Sequence, residues 1–190
     1  MLKTAKYAFA DSLKKMLEIK TLEHITVTDI VQDCGTTRQA FYYHFSDIYC
    51  LLEWIYMHEA ASLLKNHRDI DSWQQGYHLI LDWMQDNRKL VINTFRSISR
   101  EYLEIFMYNW LYPMIYEVVE KLAAGMNVRK ENKEFIARFY TLSLIAISLD
   151  WVRTEMKETT DAIVWQVEIV MKDNFSRALE KYSEQPCLSQ

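Results

Sequence analysis

Three glycines and two prolines are the only strong turn-formers in this chain of 190 residues. A sandwich or barrel of many short strands needs far more punctuation than that. Half of the residues are apolar and 14% are aromatic, which is enough for a sizeable core at this length without disulfide or metal staples. The expected class is therefore all-α. Cys34, Cys50 and Cys187 are odd in number, far apart and form no CxxC pair, so neither a disulfide framework nor a zinc ligand set is indicated, and a reducing cytoplasm fits. The first fifteen residues scatter their charges and do not place a basic start before an apolar stretch, unlike a secretory signal. The longest uncharged apolar-rich run, 139–149, is too short for a bilayer.

Apolar spacing divides the chain into about nine helices. Ala5, Phe9, Leu13, Met16 and Leu17 recur at three and four residues, predicting an amphipathic helix over about 4–19. Thr26 followed by Asp29 reads as an N-cap with an acid in the first turn, opening a short second helix with Val27, Ile30, Val31 and Cys34 on one face. Gly35, the only glycine in the first seventy-five residues, stands where a left-handed residue would end that helix and turn the chain. Thr37 caps a third helix, 38–45, with Phe41 and Phe45 inward and Arg38, Gln39, Tyr42 and Tyr43 outward. Ser46 and Asp47 open a fourth, connecting helix. Further helices are expected from the Ser72/Gln75 capping-box pattern onward and at about 87–97, 99–123, 130–156 and 160–182, with Pro113 kinking or splitting the third of these five.

Two short helices around a tight glycine turn are the arrangement of a helix-turn-helix, whose second helix enters the major groove while the first crosses the backbone. Arg38 and Gln39 sit in the first turn of that second helix, and their planar groups are the types that form paired hydrogen bonds to guanine and adenine edges. Tyr42, Tyr43 and His44 add donors for phosphates, and Thr26, Thr28 and Thr37 stand at helix starts whose backbone amides attract anions. Charge gives no help here. The net charge is −4, and in the first fifty residues Lys3, Lys6, Lys14, Lys15, Lys20 and Arg38 balance Asp11, Glu18, Glu23, Asp29, Asp33 and Asp47.

The stretch TVTDIVQDCGTTRQAFYYHFSDIYCLL, residues 26–52, resembles the DNA-binding signature of the TetR family of transcription regulators: a Thr-rich helix start, a glycine turn and an aromatic-Tyr-x-His-Phe run. The resemblance covers about residues 4–55 in helix order and spacing. It implies that Thr26, Tyr42 and His44 touch phosphates, that Arg38, Gln39 and Tyr43 read bases, and that Thr37 caps the reading helix. Two positions depart from the family: Ile48 stands where a lysine often opens the next helix, and Gln39 replaces a usual small glycine. The C-terminal part has a looser resemblance to regulatory domains of members from Gram-positive bacteria, including those associated with dihydroxyacetone kinase operons.

The resulting expectation is a DNA-binding domain over 1–46 and a helical regulatory and dimerisation domain over 47–190. The protein would act as a homodimer on near-palindromic double-stranded operator DNA, controlled by a small-molecule effector or a protein coregulator, with no membrane association. The alternative is a protein-interaction module of the same fold that works through a coactivator and binds little DNA itself; Ile48 and the neutral N-terminal region motivate it. Trp73, Tyr77, Phe106, Trp110, Tyr140 and Asp150 are the candidates for an effector pocket, set against the plainer reading that aromatic stripes are core. Family resemblance places a two-fold interface on the last two helices, through Phe139, Leu142, Ala146, Leu149, Val167, Val170, Met171 and Phe175. His24, His44, His58, His67 and His78 form no HxxxH or HxxH pair, so no metal site is expected. No phosphate loop or nucleophile elbow suggests an enzyme, and no cofactor is implied.

Overall fold

The computed structural model describes residues 2–64, 73–171 and 173–184. Among the described residues there are ten α-helices and no strand: α1 (Leu2–Leu17), α2 (Val27–Asp33), α3 (Arg38–His44), α4 (Ile48–Leu64), α5 (Trp73–Asp86), α6 (Arg88–Ser97), α7 (Arg100–Leu122), α8 (Lys130–Arg153), α9 (Thr160–Met171) and α10 (Asn174–Glu184), with a short 3-10 turn at Leu22–His24.

Phe9, Leu13 and Leu17 are buried at four-residue intervals on α1, and around them close Ile30 and Val31 of α2 and Phe41 of α3. Neither α2 nor α3 is long enough to be stable alone, since isolated helices under about 12–15 residues are marginal in water. Their caps and this shared core hold them. Thr26 and Asp29 form a complete capping box: the Thr26 amide donates to Asp29 Oδ2 at 2.8 Å and the Asp29 amide to Thr26 Oγ1 at 3.2 Å. At the far end Gly35 has φ +60, the Thr36 amide bonds Val31 O and the Gly35 amide bonds Gln32 O. This Schellman geometry turns the chain through about one residue into α3.

The buried cluster continues without a break from Phe9 to Leu179. At the junction of its small N-terminal and large C-terminal parts lies α6, which packs on α1, on the 3-10 turn and on α8. Asn93 Nδ2 donates to Leu17 O at 2.7 Å, and Ser97 Oγ accepts from the Leu22 amide at 3.0 Å while donating to Asn93 O. One face of α6 is thereby tied to the end of α1. Its flanking arginines hold the loop after α8: Arg88 donates to the backbone oxygen of Glu155, and Arg96 pairs with its carboxylate at 2.8 Å. Glu155 and Met156 are both at positive φ, a conformation that disfavours side-chain-bearing residues, and these ion pairs fix it.

Three features depart from the sequence reading. Pro113 lies within a continuous α7. Pro113 and Asn109, whose carbonyl has no Pro113 amide to bond, are both exposed, so the lost bond lies on the solvent side of the helix. The single helix expected over 160–182 is two helices. Asp173 takes φ 62 and redirects α10 onto α7 and α8, where Phe175 stacks on Tyr140 with centroids 4.0 Å apart. By length and composition α8 could cross a bilayer, although 56% of its most apolar stretch is buried inside the protein. It serves as the central helix of the bundle, packing on α6, α7 and α10.

His78 joins α5 to α9. Its Nδ1 is 2.7 Å from Asp82 and its Nε2 2.7 Å from Asp161, while Thr160 donates to Asp82 at 2.6 Å. The hydrogen bond to Asp161, helped by Asp82, raises the imidazole above its ordinary value against a smaller opposing effect of burial. A raised folded-state value means that this clamp contributes fully below about pH 6.5, the unfolded value, and fades as pH rises through the folded one. The melting-temperature gap between the protein and His78→Gln is expected to be widest near pH 6 and to narrow toward pH 8. A gap that stays constant across that range would show that the imidazolium is not engaged.

Candidate functional site

The outer surface of α3 is where the N-terminal unit presents polar groups. Phe41 is fully buried against Phe9, with centroids 5.3 Å apart, and Phe45 lies 5.8 Å from Phe41 on the same inner side. The opposite side carries Arg38 and Gln39, both exposed, with Tyr42 at 48% and Tyr43 at 74% exposure. Arg38 is drawn along the helix: its guanidinium lies 5.8 Å from the Tyr42 ring centroid and Nη2 donates to the Tyr42 hydroxyl at 3.4 Å. The aromatic ring thus supports an arginine whose fork projects from the first turn.

Thr37 Oγ1 accepts from the Ala40 amide at 3.2 Å, so its hydroxyl is engaged in capping α3. The Thr26 hydroxyl is likewise engaged, donating to Asp29 at 2.8 Å. Thr28 is exposed on the first turn of α2. Of the eight candidate nucleic-acid residues His44 is the least accessible; half-buried, it packs 5.0 Å from the Tyr43 ring and 6.3 Å from Phe9. Ile48 opens α4 partly buried against the core. Two of the six acids in the first fifty residues are paired with lysines of the same unit: Asp29 with Lys20 and Asp33 with Lys15. Bonds from Thr26 hold the Asp29 carboxyl below its ordinary value. The charge balance of the first fifty residues is therefore not the balance on the α3 face, where Arg38 is the ionised side chain.

A second feature lies behind α6. Helices α4 to α8 border a partly open cavity of about 120 Å³ whose wall includes Tyr56, Trp83, Thr94, Phe95, Phe106 and Trp110. Tyr56 meets Trp83 edge-on at 5.6 Å. Of the effector-pocket candidates only Phe106 and Trp110 reach this space. Tyr77 is buried elsewhere, bonded to Ser148 at 3.0 Å. Because Ser148 gives its proton to Leu144 O, Tyr77 is the donor. Tyr140 is held by its stack on Phe175. Asp150 is exposed and paired with Arg153 at 2.6 Å. The Trp73 side chain lies outside the described residues. Tyr140 and Asp150 project from sides of α8 other than that of Leu149 and Val152, which do line the cavity. Among the described residues, no three His, Cys, Asp or Glu side chains gather as metal ligands would. Cys34 is half-buried, its thiol donating to Ala8 O at 3.3 Å and pushed up by burial, the opposite of an activated thiolate.

Residues 71–173, more than half of the chain and the source of every part of the cavity wall except α4, match the TetR family model for a transcriptional regulator C-terminal region. The chain belongs to the TetR family. One relative, the HTH-type dhaKLM operon transcriptional activator DhaS of Lactococcus lactis subsp. lactis (strain IL1403), is 26% identical over 142 residues, which are 73% of this chain and 74% of that protein. Among solved structures, the dihydroxyacetone kinase operon activator DhaS superposes with a TM-score of 0.70 at 19% identity, covering 95% of this chain and 98% of the other. A TetR transcriptional regulator from Streptococcus agalactiae 2603V reaches 0.61 at 17% identity over 89% and 94% of the two chains. The TetR family repressor AlkX from Dietzia sp. strain DQ12-45-1b reaches 0.57 at 15% over 94% and 97%. At these identities the structural likenesses establish the fold. The helix-turn-helix arrangement at the N-terminus agrees with it.

As a TetR-family chain it also exposes an apolar surface on α8 and α9. Phe139 is 56% exposed, Trp165 63% and Val170 66%, and Leu142, Ala146 and Ile169 share their faces. A groove of about 630 Å³ runs between the two helices, lined by Phe139, Ala146, Ile147 and Val170. Of the eight residues expected at an interface, Leu149, Val167, Met171 and Phe175 are buried within the protomer, Val167 and Met171 at the floor of the groove. Both helices are apolar on more than one side, and spacing alone does not say which side the neighbouring helices cover. Ile147, Trp165 and Ile169, not singled out from the sequence, are exposed on these helices. The signal for Trp165 was available, since a tryptophan four residues before Ile169 forms a second stripe on α9.

Proposed function

We propose that this protein is a sequence-specific DNA-binding transcription regulator of the TetR type, with residues 1–46 reading DNA and residues 47–190 receiving a signal and forming a homodimer in the cytoplasm. The observation that carries the reading is the division of α3: Phe41 and Phe45 anchor one side, while Arg38, Gln39 and Tyr43 stand free on the other. A short helix held this way at a helix-turn-helix is placed to enter a major groove. A two-fold axis through the exposed α8–α9 surface would set two copies of α3 on one face of a near-palindromic operator, with half-sites about 34–36 Å apart or slightly more. An apolar surface of this kind, rich in Phe, Trp and Leu, suits a second copy of the chain.

The signal reaches α3 through α6. That helix lines the cavity with Val91, Thr94 and Phe95, and grips the end of α1 through Asn93 and Ser97. A ligand or partner that prefers one position of α6 shifts the separation of the two reading heads by as much as its differential affinity allows. No step of turnover is involved.

Footprinting on the DNA upstream of its own gene tests the reading; a protected, salt-sensitive site is expected, and no protection with or without cell extract as a source of signal would refute it. Within that site Arg38→Ala is expected to cost about 1–3 kcal/mol and to relax preference at one base pair, whereas Tyr42→Phe weakens operator and random duplex about equally. Equal losses on both duplexes for Arg38→Ala, measured by titration at fixed salt, would remove Arg38 as a base reader.

A further inference from the structure

His78 on α5 lies between two carboxylates on different helices. Its Nδ1 is 2.7 Å from Asp82, one turn along α5, and its Nε2 is 2.7 Å from Asp161 in the first turn of α9. A carboxylate only accepts hydrogen bonds, and a neutral imidazole has a single N–H to give. Both contacts are therefore hydrogen bonds only in the imidazolium; a neutral ring would turn a lone pair toward one of the two carboxylates. The two bonds are unequal. Asp82 is further held by the Thr160 hydroxyl at 2.6 Å, whereas the Asp161 side chain is 86% exposed and can turn to water. A neutral ring thus keeps Asp82 and gives up Asp161. The hydrogen bond to Asp161, helped by Asp82, also holds the imidazole above its ordinary value. On α4, α6 and α8, which also pack on α5, Glu53 bonds Tyr102, His58 stacks on Trp54, Glu59 pairs with Lys14, Arg88 and Arg96 pair with Glu155, and Asp150 pairs with Arg153. None of them is within ion-pair distance of His78, and Lys89 of α6 is exposed.

What this proton changes is the charge beside an exposed apolar stripe. Asp161, Trp165 and Ile169 follow one another at four-residue spacing on α9, and all three are exposed; residues four apart are neighbours on a helix surface. With His78 protonated, the Asp161 carboxylate is neutralised by the imidazolium. Without that proton it stands unpaired, one turn from Trp165. We propose that His78 makes the association of two copies of the chain proton-linked: its imidazolium neutralises Asp161 at the edge of the α9 stripe, and loss of the proton leaves a carboxylate there that opposes docking of the second copy. This rests on the α8–α9 interface of the functional reading above. Bringing a solvated carboxylate against apolar side chains is costly unless a cation accompanies it. The dimer therefore prefers the protonated ring, and it weakens as pH rises through the His78 transition. A preference of about threefold in each of two protomers multiplies to about tenfold in the dimer.

Sedimentation of the full chain over a concentration series at about pH 6 and pH 8, on either side of the histidine range, reads the dimer dissociation constant. For the parent that constant is expected to rise about tenfold between the two. Two variants are expected to lose the dependence in opposite ways. His78→Gln leaves Asp161 without its cation and is weak at both pH values; Asp161→Asn has no charge to neutralise and is tight at both. A contact that only braced the fold would weaken both variants alike at pH 6, and that result overturns the proposal. So does a parent dimer of equal strength at the two pH values, or a dependence that survives in Asp161→Asn. Circular dichroism checks that each variant is folded; if His78→Gln is not, Asp161→Asn, whose change lies on the surface, decides. Trp165→Glu separates this proposal from the one beneath it. A dimer that this variant disrupts but pH leaves alone sinks the proton link only, whereas a dimer that it leaves intact, or a parent chain monomeric throughout, removes the interface as well.

Discussion

Phe41→Ala is expected to destabilise the protein by about 3–5 kcal/mol and to abolish operator binding at temperatures where most helical signal remains. Phe41 is completely buried, and its ring contacts Phe9 on α1 and Phe45 beyond the end of α3. Removing it takes away most of what holds a seven-residue helix that has little stability of its own. Against a total stability of about 5–15 kcal/mol, that loss is a large fraction. For a chain of this size it corresponds to a fall of roughly 6–20 °C in melting temperature. Tyr43→Ala is the matched control. Tyr43 is among the most exposed aromatics, so its replacement is expected to move stability by no more than about 0.5 kcal/mol while weakening DNA binding. If Phe41→Ala melts with the parent, α3 is not anchored as described; if Tyr43→Ala leaves operator affinity intact, the outer side of α3 is not the reading surface.

Trp165→Glu is expected to convert a dimer into a well-folded monomer and to lower operator affinity by at least a hundredfold. The first part follows from exposure: Trp165 stands free of the protomer's own core on α9, one turn from the exposed Ile169. A carboxylate introduced there stays solvated in the monomer but must be desolvated against apolar side chains if a second copy docks. The second part follows from linkage, because two tethered reading heads gain about 10²- to 10⁴-fold over one through effective concentration. Native mass spectrometry and operator titration read the two effects separately. Leu149→Ala makes the complementary case. Buried in the protomer at the cavity wall, it is expected to lower stability by about 2–5 kcal/mol and to leave the oligomeric state alone. A Trp165→Glu protein that remains dimeric would place the interface elsewhere.

The N-terminal unit was the most legible part of the chain. There the capping pair Thr26/Asp29, the left-handed Gly35 and the four-residue interval from Phe41 to Phe45 each constrain a short segment through local geometry, and the structure shows all three. The outward placement of Arg38, Gln39 and Tyr43 follows from the same interval. Farther along, local rules failed where local and tertiary demands diverge. Pro113 is tolerated because its side of α7 faces water. Asp173 breaks a stretch with continuous helical spacing because packing α10 on α7 and α8 outweighs one unfavourable φ. Glu155 and Met156 take left-handed conformations with no glycine to announce them, held by Arg88 and Arg96 from a helix some sixty residues earlier.

The cavity shows the same boundary. Aromatic richness from Tyr102 to Tyr116 signalled that some of these rings could border a space, and Phe106 and Trp110 do. Nothing in their spacing linked them to Tyr56 or Thr94, which lie on other helices and join the same cavity wall only through folding. By itself the amino-acid order determined an all-helical chain, the helix-turn-helix at its start and which side of α3 faces outward. Those properties depend on interactions within four or five residues. Tertiary structure alone decided which apolar face of α8 and α9 is left uncovered, where the cavity lies, and that α6 touches both the cavity and α1. Periodicity fixes the direction of a side chain about its own helix axis, but neighbours distant in sequence determine what that direction meets.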